Sequence, residues 1–430
     1  MKRFLLSIII FAPFLSIAQQ KLNLQQAIDT ALKNNFDIQI ARNNAEIGKI
    51  NNSFGVAGGL PSVNIAASDN LSLYNQTQKM SGGTESTLNN VSSNAISANI
   101  NASMVLFNGF KILATKERLS SLEKQSELLL NQQIQNTMAD VMTTYFDVLR
   151  QQSYIRILQS SLDLSTRKLE IIQQRKNVGM ANDADLLQAQ IDVNSVQQNL
   201  NTQQIVVDQQ KTSLLQLMGV KQFYPVEISD TILIDKGLTR DDIFSYLKNN
   251  PQYLTAEQQI HVNRQLLREV SAQRYPSLRL NTGYNFAHNS YSAGVYDYTR
   301  NYGLNAGATL QIPLFNGTIY KSQQDAALYN LKNAELTKDN IYLSINAEAE
   351  KIFQSYQNTL QQMISQDENY KKAQQLVYII LQRFQLNQAT ILDVKAAQTS
   401  FENSGYLLVN LQFSAKIAEV ELKRLVYKLK

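Results

Sequence analysis

The chain switches between a helical period and a period of two. Over residues 19–54 the apolar positions Leu24, Ala27, Ile28, Ala31 and Leu32 recur at helical spacing. Glycines at residues 55–59 stop that helix, and Pro61 follows. Strict alternation then begins. Val63, Ile65, Ala67, Leu71 and Leu73 share one face, interrupted by Asp69, and Ser62, Asn64, Ala66, Ser68, Asn70 and Ser72 share the other. Residues 75–93 are polar and read as a loop around Gly82-Gly83. A second alternation sets Ala98, Ile100, Ala102, Met104 and Leu106 against Ser97, Asn99, Asn101 and Ser103. Strands are therefore expected at about 61–74 and 95–107. After Leu106-Phe107-Asn108-Gly109 the period changes again, to a helix over residues 111–178. Its seam Ile134, Met138, Val141, Tyr145 and Val148 has coiled-coil spacing. Gly179 breaks it. A helix restarting near Asn182-Asp183 then keeps sevens through Leu186, Val193, Leu200, Val207 and Leu214. Residues 111–218 thus form a long antiparallel helical hairpin with its tip at residues 175–185.

The pattern then repeats. Leu247-Lys248-Asn249-Asn250 matches Leu32-Lys33-Asn34-Asn35, and Pro276-Ser277 matches Pro61-Ser62, both at an offset of 215. Strands are expected at about 276–287, through Leu278, Leu280, Thr282, Tyr284 and Phe286, and at about 301–314, through Tyr302, Leu304, Ala306, Ala308, Leu310 and Ile312. Leu314-Phe315-Asn316-Gly317 returns at an offset of 208, which persists to the end: Arg383 matches Arg175, Asp393 matches Asp185, and Gln398 matches Gln190. Val394, Phe401, Leu408, Ala415, Leu422 and Leu429 keep the sevens, so residues 318–429 form a second hairpin. The expected plan is a first repeat at 19–220, a link at 221–236 and a second repeat at 237–430, with a candidate short strand at 224–228. The strand-to-strand loop alone changed length, by seven residues. Such a duplication has rigid helices and a free loop.

Composition adds the solvent. Only 17% of the 430 residues are charged, against ~25% in ordinary soluble domains. The polar strand faces are Asn, Ser and Thr. Alternating runs of ~10 residues with such a face suit transmembrane β-strands, lipid on one side and a watery lumen on the other. Residues 1–18 read as a secretory signal: Lys2 and Arg3, an apolar run over residues 4–14, and Ser16-Ile17-Ala18 as a cleavage site. Uncleaved, the run would be a membrane anchor, but it is short of the ~20 residues a spanning helix needs. There is no Cys for a disulfide or an N-terminal lipid, and the net charge of +5 is too small to indicate nucleic acid. His261, in a helix, and His288, in an expected outer loop, have no ligand spacing. Neither a nucleophile elbow nor a phosphate loop occurs. No enzyme activity, metal site or cofactor is expected.

Four strands cannot close a barrel, and an open edge in lipid would leave backbone groups unpaired. If the strands span a membrane, several copies must share one barrel. The other reading is an exported structural coiled coil or surface adhesin with small β-domains.

The duplication, the Pro-Ser strand openings, Leu-Phe-Asn-Gly before each long helix, and Arg175-x-x-x-Gly179 followed by Asp185-Leu186 resemble the TolC-type family of outer-membrane efflux proteins, across essentially the whole mature chain. The resemblance implies a mainly α protein with a transmembrane β-barrel. In this plan a homotrimer shares a 12-stranded barrel in outer-membrane lipid, continued by an α-helical periplasmic tunnel. It implies the duct of a tripartite efflux or type I secretion system. A periplasmic adaptor (membrane fusion) protein and an inner-membrane RND or ABC transporter would dock on the helical tips. The 221–236 link would help form a belt around the duct. Some relatives carry a lipidated Cys at the mature start, which this chain lacks.

The resemblance also places the site residues. The tips, Val178, Gly179, Met180 and Ala181 in the first repeat and Leu386, Asn387, Gln388 and Ala389 in the second, would meet the adaptor. As backbone they read as helix C-caps. Asp393, with Thr390, and more loosely Asp185, with Asn182, fit capping boxes. In a trimer, Asp185 and Asp393 would also lie at the periplasmic gate, where three copies of Asp393 form an acidic ring that binds divalent ions. Relatives often have a second acidic step where this chain has Ala396, a basic residue at Ala389 and a Tyr at Phe384. A salt-bridged latch would here be weaker or differently built. At the corners, Phe107, Gly109, Phe315 and Gly317 mark the membrane interface, their rings serving either core packing or an aromatic girdle.

Overall fold

Each change of period becomes a change of element. The computed structural model describes residues 20–429, so the expected signal segment at 1–18 lies outside the described residues. In chain order the elements are β1 (Gln20–Lys21), α1 (Leu24–Asn34), α2 (Phe36–Asn51), β2 (Ser62–Lys79), β3 (Glu85–Asn108), α3 (Lys111–Asn177), α4 (Asp183–Leu217), β4 (Val226–Glu227), α5 (Arg240–Phe244), α6 (Pro251–Ala272), β5 (Ser277–Tyr291), β6 (Tyr298–Gln311), α7 (Ile319–Gln385) and α8 (Ile391–Leu425). A short 3-10 turn at Leu247–Asn249 precedes α6. Helices α3 and α7 both have 67 residues, and α4 and α8 both have 35. Nothing was inserted into either helical hairpin since the duplication.

The described residues form two compact units: residues 20–41, 130–251 and 342–429 in one, residues 42–129 and 252–341 in the other. The first unit is a helical bundle. Met138, Val141, Tyr145 and Val148 of α3 pack on Ala27, Ile28 and Ala31 of α1 and on Val207 and Leu214 of α4. The heptad spacing thus does become buried seam, each such apolar side chain stabilising by about 1.5–3 kcal/mol. The expected single helix at 19–54 is instead two. Asn35 splits it: its Oδ1 accepts from the N–H of Asp37 (2.9 Å) and Ile38 (3.2 Å), capping α2, and its Nδ2 donates to the Leu217 carbonyl (2.8 Å). The second repeat does the same, with Asn250 Nδ2 donating to the Leu425 carbonyl (2.9 Å). The candidate strand in the link is only β4. It pairs in parallel with β1, Val226 beside Gln20.

The second unit holds one antiparallel sheet in the order β2-β3-β5-β6. Ser62 pairs with Ser103 in the first repeat and Ser277 with Gln311 in the second, so the offsets of 215 and 208 carry one hairpin register onto the other. The strands overrun expectation at one end. The expected loop at 75–93 shrinks to a turn at 80–84 around Gly82-Gly83: β2 and β3 continue as a ladder to Lys79↔Glu85, past an irregularity between Tyr74 and Gln76. Thr, Ser, Asn and Gln on both faces removed the alternation but not the pairing capacity of the backbone. For the same reason β5 runs to Tyr291, so His288 lies within a strand, paired with Arg300, rather than in a loop. At the other end β6 stops at Gln311, short of residue 314, because Pro313 lacks the N–H a ladder needs.

Candidate functional site

Both helical hairpins turn through one geometry. At the first tip Gly179 has φ +78°. Its N–H donates to the Lys176 carbonyl (2.9 Å), and the Met180 N–H donates to the Arg175 carbonyl (2.7 Å). This is a Schellman closure, which satisfies carbonyls left over at the helix end. At the second tip Asn387 takes the left-handed position, φ +62°. There the Asn387 N–H donates to Phe384 (3.0 Å) and the Gln388 N–H to Arg383 (2.8 Å).

The helices that follow are capped differently. Asn182 Oδ1 accepts from the Asp185 N–H at 2.8 Å. Thr390 and Asp393 form a full capping box. The Asp393 N–H donates to Thr390 Oγ1 (3.1 Å), and Asp393 Oδ2 accepts from the Thr390 N–H and hydroxyl, both at 2.8 Å. These bonds, the backbone one foremost, hold the Asp393 carboxyl below its ordinary value. The side chain stays exposed, whereas Asp185 is half-buried.

Among the expected tip residues, Val178, Met180 and Leu386 present apolar side chains to solvent, and Asn387 and Gln388 are also exposed. Ala181 and Ala389 turn inward onto a cluster of Ile172, Leu186, Ala189, Phe384 and Val394. That cluster draws on α3, α4, α7 and α8, so one chain packs its own two tips together. Arg175 ties them. Its guanidinium donates to the Phe384 carbonyl and lies over the Phe384 ring, 4.3 Å from the centroid. The equivalent Arg383 stays in its own turn, donating to Gln388 at 3.2 Å.

Farther along the bundle, polar residues occupy the seam. Lys168 is fully buried and donates to Asp192 at 2.5 Å, and Lys395 reaches the same carboxylate at 3.4 Å. Burial raises the Asp192 pKa, but these partners, Lys168 first, leave it net below the ordinary value. Gln398 Nε2 donates to Ser161 Oγ (2.5 Å) and Ser165 Oγ (2.9 Å), and Ser161 donates to Glu402. These contacts were not anticipated from sequence. Ser161, Ser165, Lys168 and Ile172 continue the 4-3-4 stepping in partly polar letters, a signal that a search for apolar residues alone passes over.

The corners also share a backbone. Gly109 and Phe110 are both left-handed (φ +68° and +66°), as are Gly317 and Thr318 (φ +66° and +69°). Two successive left-handed residues turn the strand into the helix, and Asn108 Oδ1 accepts from the Ile112 N–H (3.3 Å) to start α3. The surroundings differ. A Cβ on Gly109 would lie 2.6 Å from Tyr275 Cβ and 2.7 Å from the Ala272 carbonyl, whereas one on Gly317 would meet nothing within 4 Å. Phe107 makes an edge-on contact with Phe110 at 5.4 Å and is 37% exposed; Phe315 is 84% exposed.

No described helix is long and apolar enough to cross a membrane. The sheet carries the exposed apolar face instead: Ile65, Leu71, Leu73, Tyr302 and Leu304 all stand open.

Comparison with known proteins agrees with this geometry. The model of the outer membrane efflux protein family matches residues 27–220 and 243–426, once per repeat. Outer membrane protein TolC of Escherichia coli (strain K12) is 23% identical over 349 residues, covering 78% of this chain and 70% of the relative. Among solved structures, the outer membrane protein VceC of Vibrio cholerae superposes with a TM-score of 0.74 at 18% identity, over 94% of this chain and 95% of that one. The Campylobacter jejuni outer membrane channel CmeC gives a TM-score of 0.75 at 17% identity, over 94% and 85%. The structural likenesses establish the fold, and the match to both repeats establishes descent: the chain belongs to the outer membrane efflux protein family.

Proposed function

We propose that three copies of this chain form one 12-stranded barrel in the outer membrane, continued by a helical duct in the periplasm that passively conducts substrates outward. The observation that carries this reading is the sheet. Four strands end in two unpaired edges, β2 and β6, and bear an apolar face along their length. Lipid admits no open edge, so β6 of one copy would pair with β2 of the next. The duplication supplies the register. Carrying the β3–β5 pairing through the two offsets sets Leu304 against Leu73 and Ala308 against Asp69 of the neighbouring copy. The same operation seats Gly317 on Leu60 and Ala57 of that copy, as Gly109 sits on Tyr275 and Ala272 within the chain.

In this reading residues 1–18 are removed on export, and Phe107, Gly109, Phe315 and Gly317 mark the inner membrane interface. The exposed tips at Val178, Met180, Leu386 and Gln388 dock a periplasmic adaptor serving an inner-membrane RND or ABC transporter, and the 221–236 link forms part of a belt. Three Asp393 carboxylates ring the gate near Asp185. The lumen face is hydrated and built largely of neutral Asn, Ser and Thr, with Arg279 an exception, so energy and selectivity come from the partners.

The test pairs Leu73→Cys with Leu304→Cys. Paired strand positions are close enough for a disulfide, so oxidation in membranes should give covalent oligomers ending at three chains. Pairing Leu73→Cys with Ala308→Cys, off register, should not. The trimer should migrate as a heat-modifiable band and conduct in planar bilayers, and Asp393→Ala should weaken block by divalent cations. Purification as a detergent-free rod without conductance would overturn the duct in favour of an exported coiled-coil protein. Unchanged divalent block would remove the acidic ring.

A further inference from the structure

Within the ladders at residues 62–73, 93–104, 278–290 and 298–310, the apolar face carries two formally charged side chains, Asp69 and Arg300. They lie in one row across the sheet: Asp69 pairs with Ile96, Ile96 with His288, and His288 with Arg300. Three strand spacings separate them, about 14 Å, so neither neutralises the other. Among the described residues Arg300 makes no ion pair. Its guanidinium lies 5.8 Å from the Tyr298 ring centroid. The His288 ring packs on the same tyrosine at 5.4 Å, and His288 Nδ1 is buried without a hydrogen-bond partner. Toward the corners the face of β6 continues as Tyr302, Leu304, Ala306, Ala308 and Leu310. Toward the hairpin turn lie Tyr298 and Tyr296.

A guanidinium facing lipid is costly at the midplane and cheap at the interface, where tyrosines also collect. Arg300 therefore marks headgroup depth. It is the hairpin-turn end, away from the helices, and so the outer leaflet. We infer that Arg300, His288 and Tyr298 form a site for the phosphate of an outer-leaflet glycolipid, whose acyl chains lie along the Tyr302–Leu310 row. The inference rests on the membrane-spanning reading above. Arg300 supplies a planar two-point donor for phosphate. His288 packs its ring against Tyr298 and so positions that tyrosine beside Arg300. Across the proposed seam Arg300 would face Gln76, Thr77 and Gln78 of the next copy, none of them an anion that would fill the site first.

The experiment uses the full-length protein extracted in detergent, with bis-phosphorylated lipid A and enzymatically dephosphorylated lipid A as probes. Native mass spectrometry reads retention. Arg300→Ala should retain lipid A on the order of tenfold less than wild type, the loss expected for a charge-assisted contact. Arg300→Lys should fall between. Arg279→Ala, which removes the same charge from the opposite face, should match wild type. Dephosphorylated lipid A should bind wild type as weakly as lipid A binds Arg300→Ala. Equal retention by Arg300→Ala and wild type, or indifference to dephosphorylation, overturns the site. Inorganic phosphate that competes as well as lipid A makes it a free-anion site and also overturns it. The heat-modifiable band of Arg300→Ala should be unchanged, so lost retention with an intact barrel belongs to the site. A wild type that forms no barrel overturns the membrane reading, and the site with it.

Discussion

The two strand-to-helix corners have one backbone and opposite surroundings. Both place two left-handed residues in succession, and both are spelled Leu-Phe-Asn-Gly. Gly109 is pressed against Tyr275 and Ala272, while Gly317 stands open beside Leu314 and Phe315, which are 93% and 84% exposed. Local sequence sets the turn; what covers the turn comes from elsewhere. For the first corner the cover is the start of the second repeat. For the second corner the equivalent cover is the start of a first repeat, which in the same chain lies at the opposite edge of the sheet. An open Gly317 is therefore what a shared barrel requires.

Substitution separates the two demands. Gly109→Ala meets both a left-handed φ and a collision with backbone, and should destabilise the second unit by about 3 kcal/mol or more. It should be visible as loss of folded protein in membranes. Gly317→Ala meets only the φ within its own chain, about 1–2 kcal/mol. If Leu60 and Ala57 of a neighbour cover it, the heat-modifiable oligomer should fall while the folded monomer persists. Equal loss of monomer and oligomer in both variants would remove the distinction.

The tips repeat the contrast on a smaller scale. Arg175 crosses to Phe384, and Arg383 does not leave its own turn. Arg175→Ala should cost the tip cluster about 2 kcal/mol, a charged hydrogen bond plus its cation–π contact, and raise hydrogen exchange at Ile172 and Leu186. Arg383→Ala should cost less than about 0.5 kcal/mol, as exposed side chains usually do. Equal exchange in the two variants would mean that Arg175 ties nothing together.

What the sequence made legible follows from which signals are periodic. Sevens from Val394 announce a buried seam and alternation through Val63 to Leu73 announces a two-faced strand, and those elements are where the period puts them, with α8 ending at Leu425, short of the last seven at Leu429. The hairpin ends at Lys79 and Glu85 were hidden because a strand wet on both faces has no alternation. The split at Asn35 was hidden because helical periodicity runs through a cap without breaking. Lys168 sits in the seam yet is charged, and only its partner Asp192 explains it. The left-handed Phe110 and Thr318 have no signature of their own, since the glycine before each one draws attention first. At the tips the C-cap was legible in Gly179 and Asn387, while the link between Arg175 and Phe384 depends on two segments 209 residues apart meeting in space.

The left-handed positions of the two tips give the next contrast. Gly179→Ala should lose about 1–2 kcal/mol at φ +78°. Asn387→Gly should change stability by less than about 0.5 kcal/mol, because both residues accept that conformation. Hydrogen exchange at Met180 and Gln388, the closing donors of the two turns, reads each effect separately.

The smallest effect is the most local. The cap of α8 uses a carboxylate, Asp393, and the cap of α4 uses a neutral amide, Asn182. Because the folded state holds the Asp393 pKa below its ordinary 3.8, its contribution is complete above that value and is lost as pH falls through the folded pKa. Below that point the protonated carboxyl is a poor acceptor for the Thr390 N–H, and the first turn of α8 should fray. Asn182 does not titrate, so its bond to the Asp185 N–H should survive the same acidification. Exchange at the Asp393 and Asp185 amides, followed downward from pH ~5 after correction for intrinsic rates, should therefore part company at the second tip first. Parallel profiles would mean that the capping carboxylate contributes nothing beyond what the Thr390 hydroxyl already supplies to the helix.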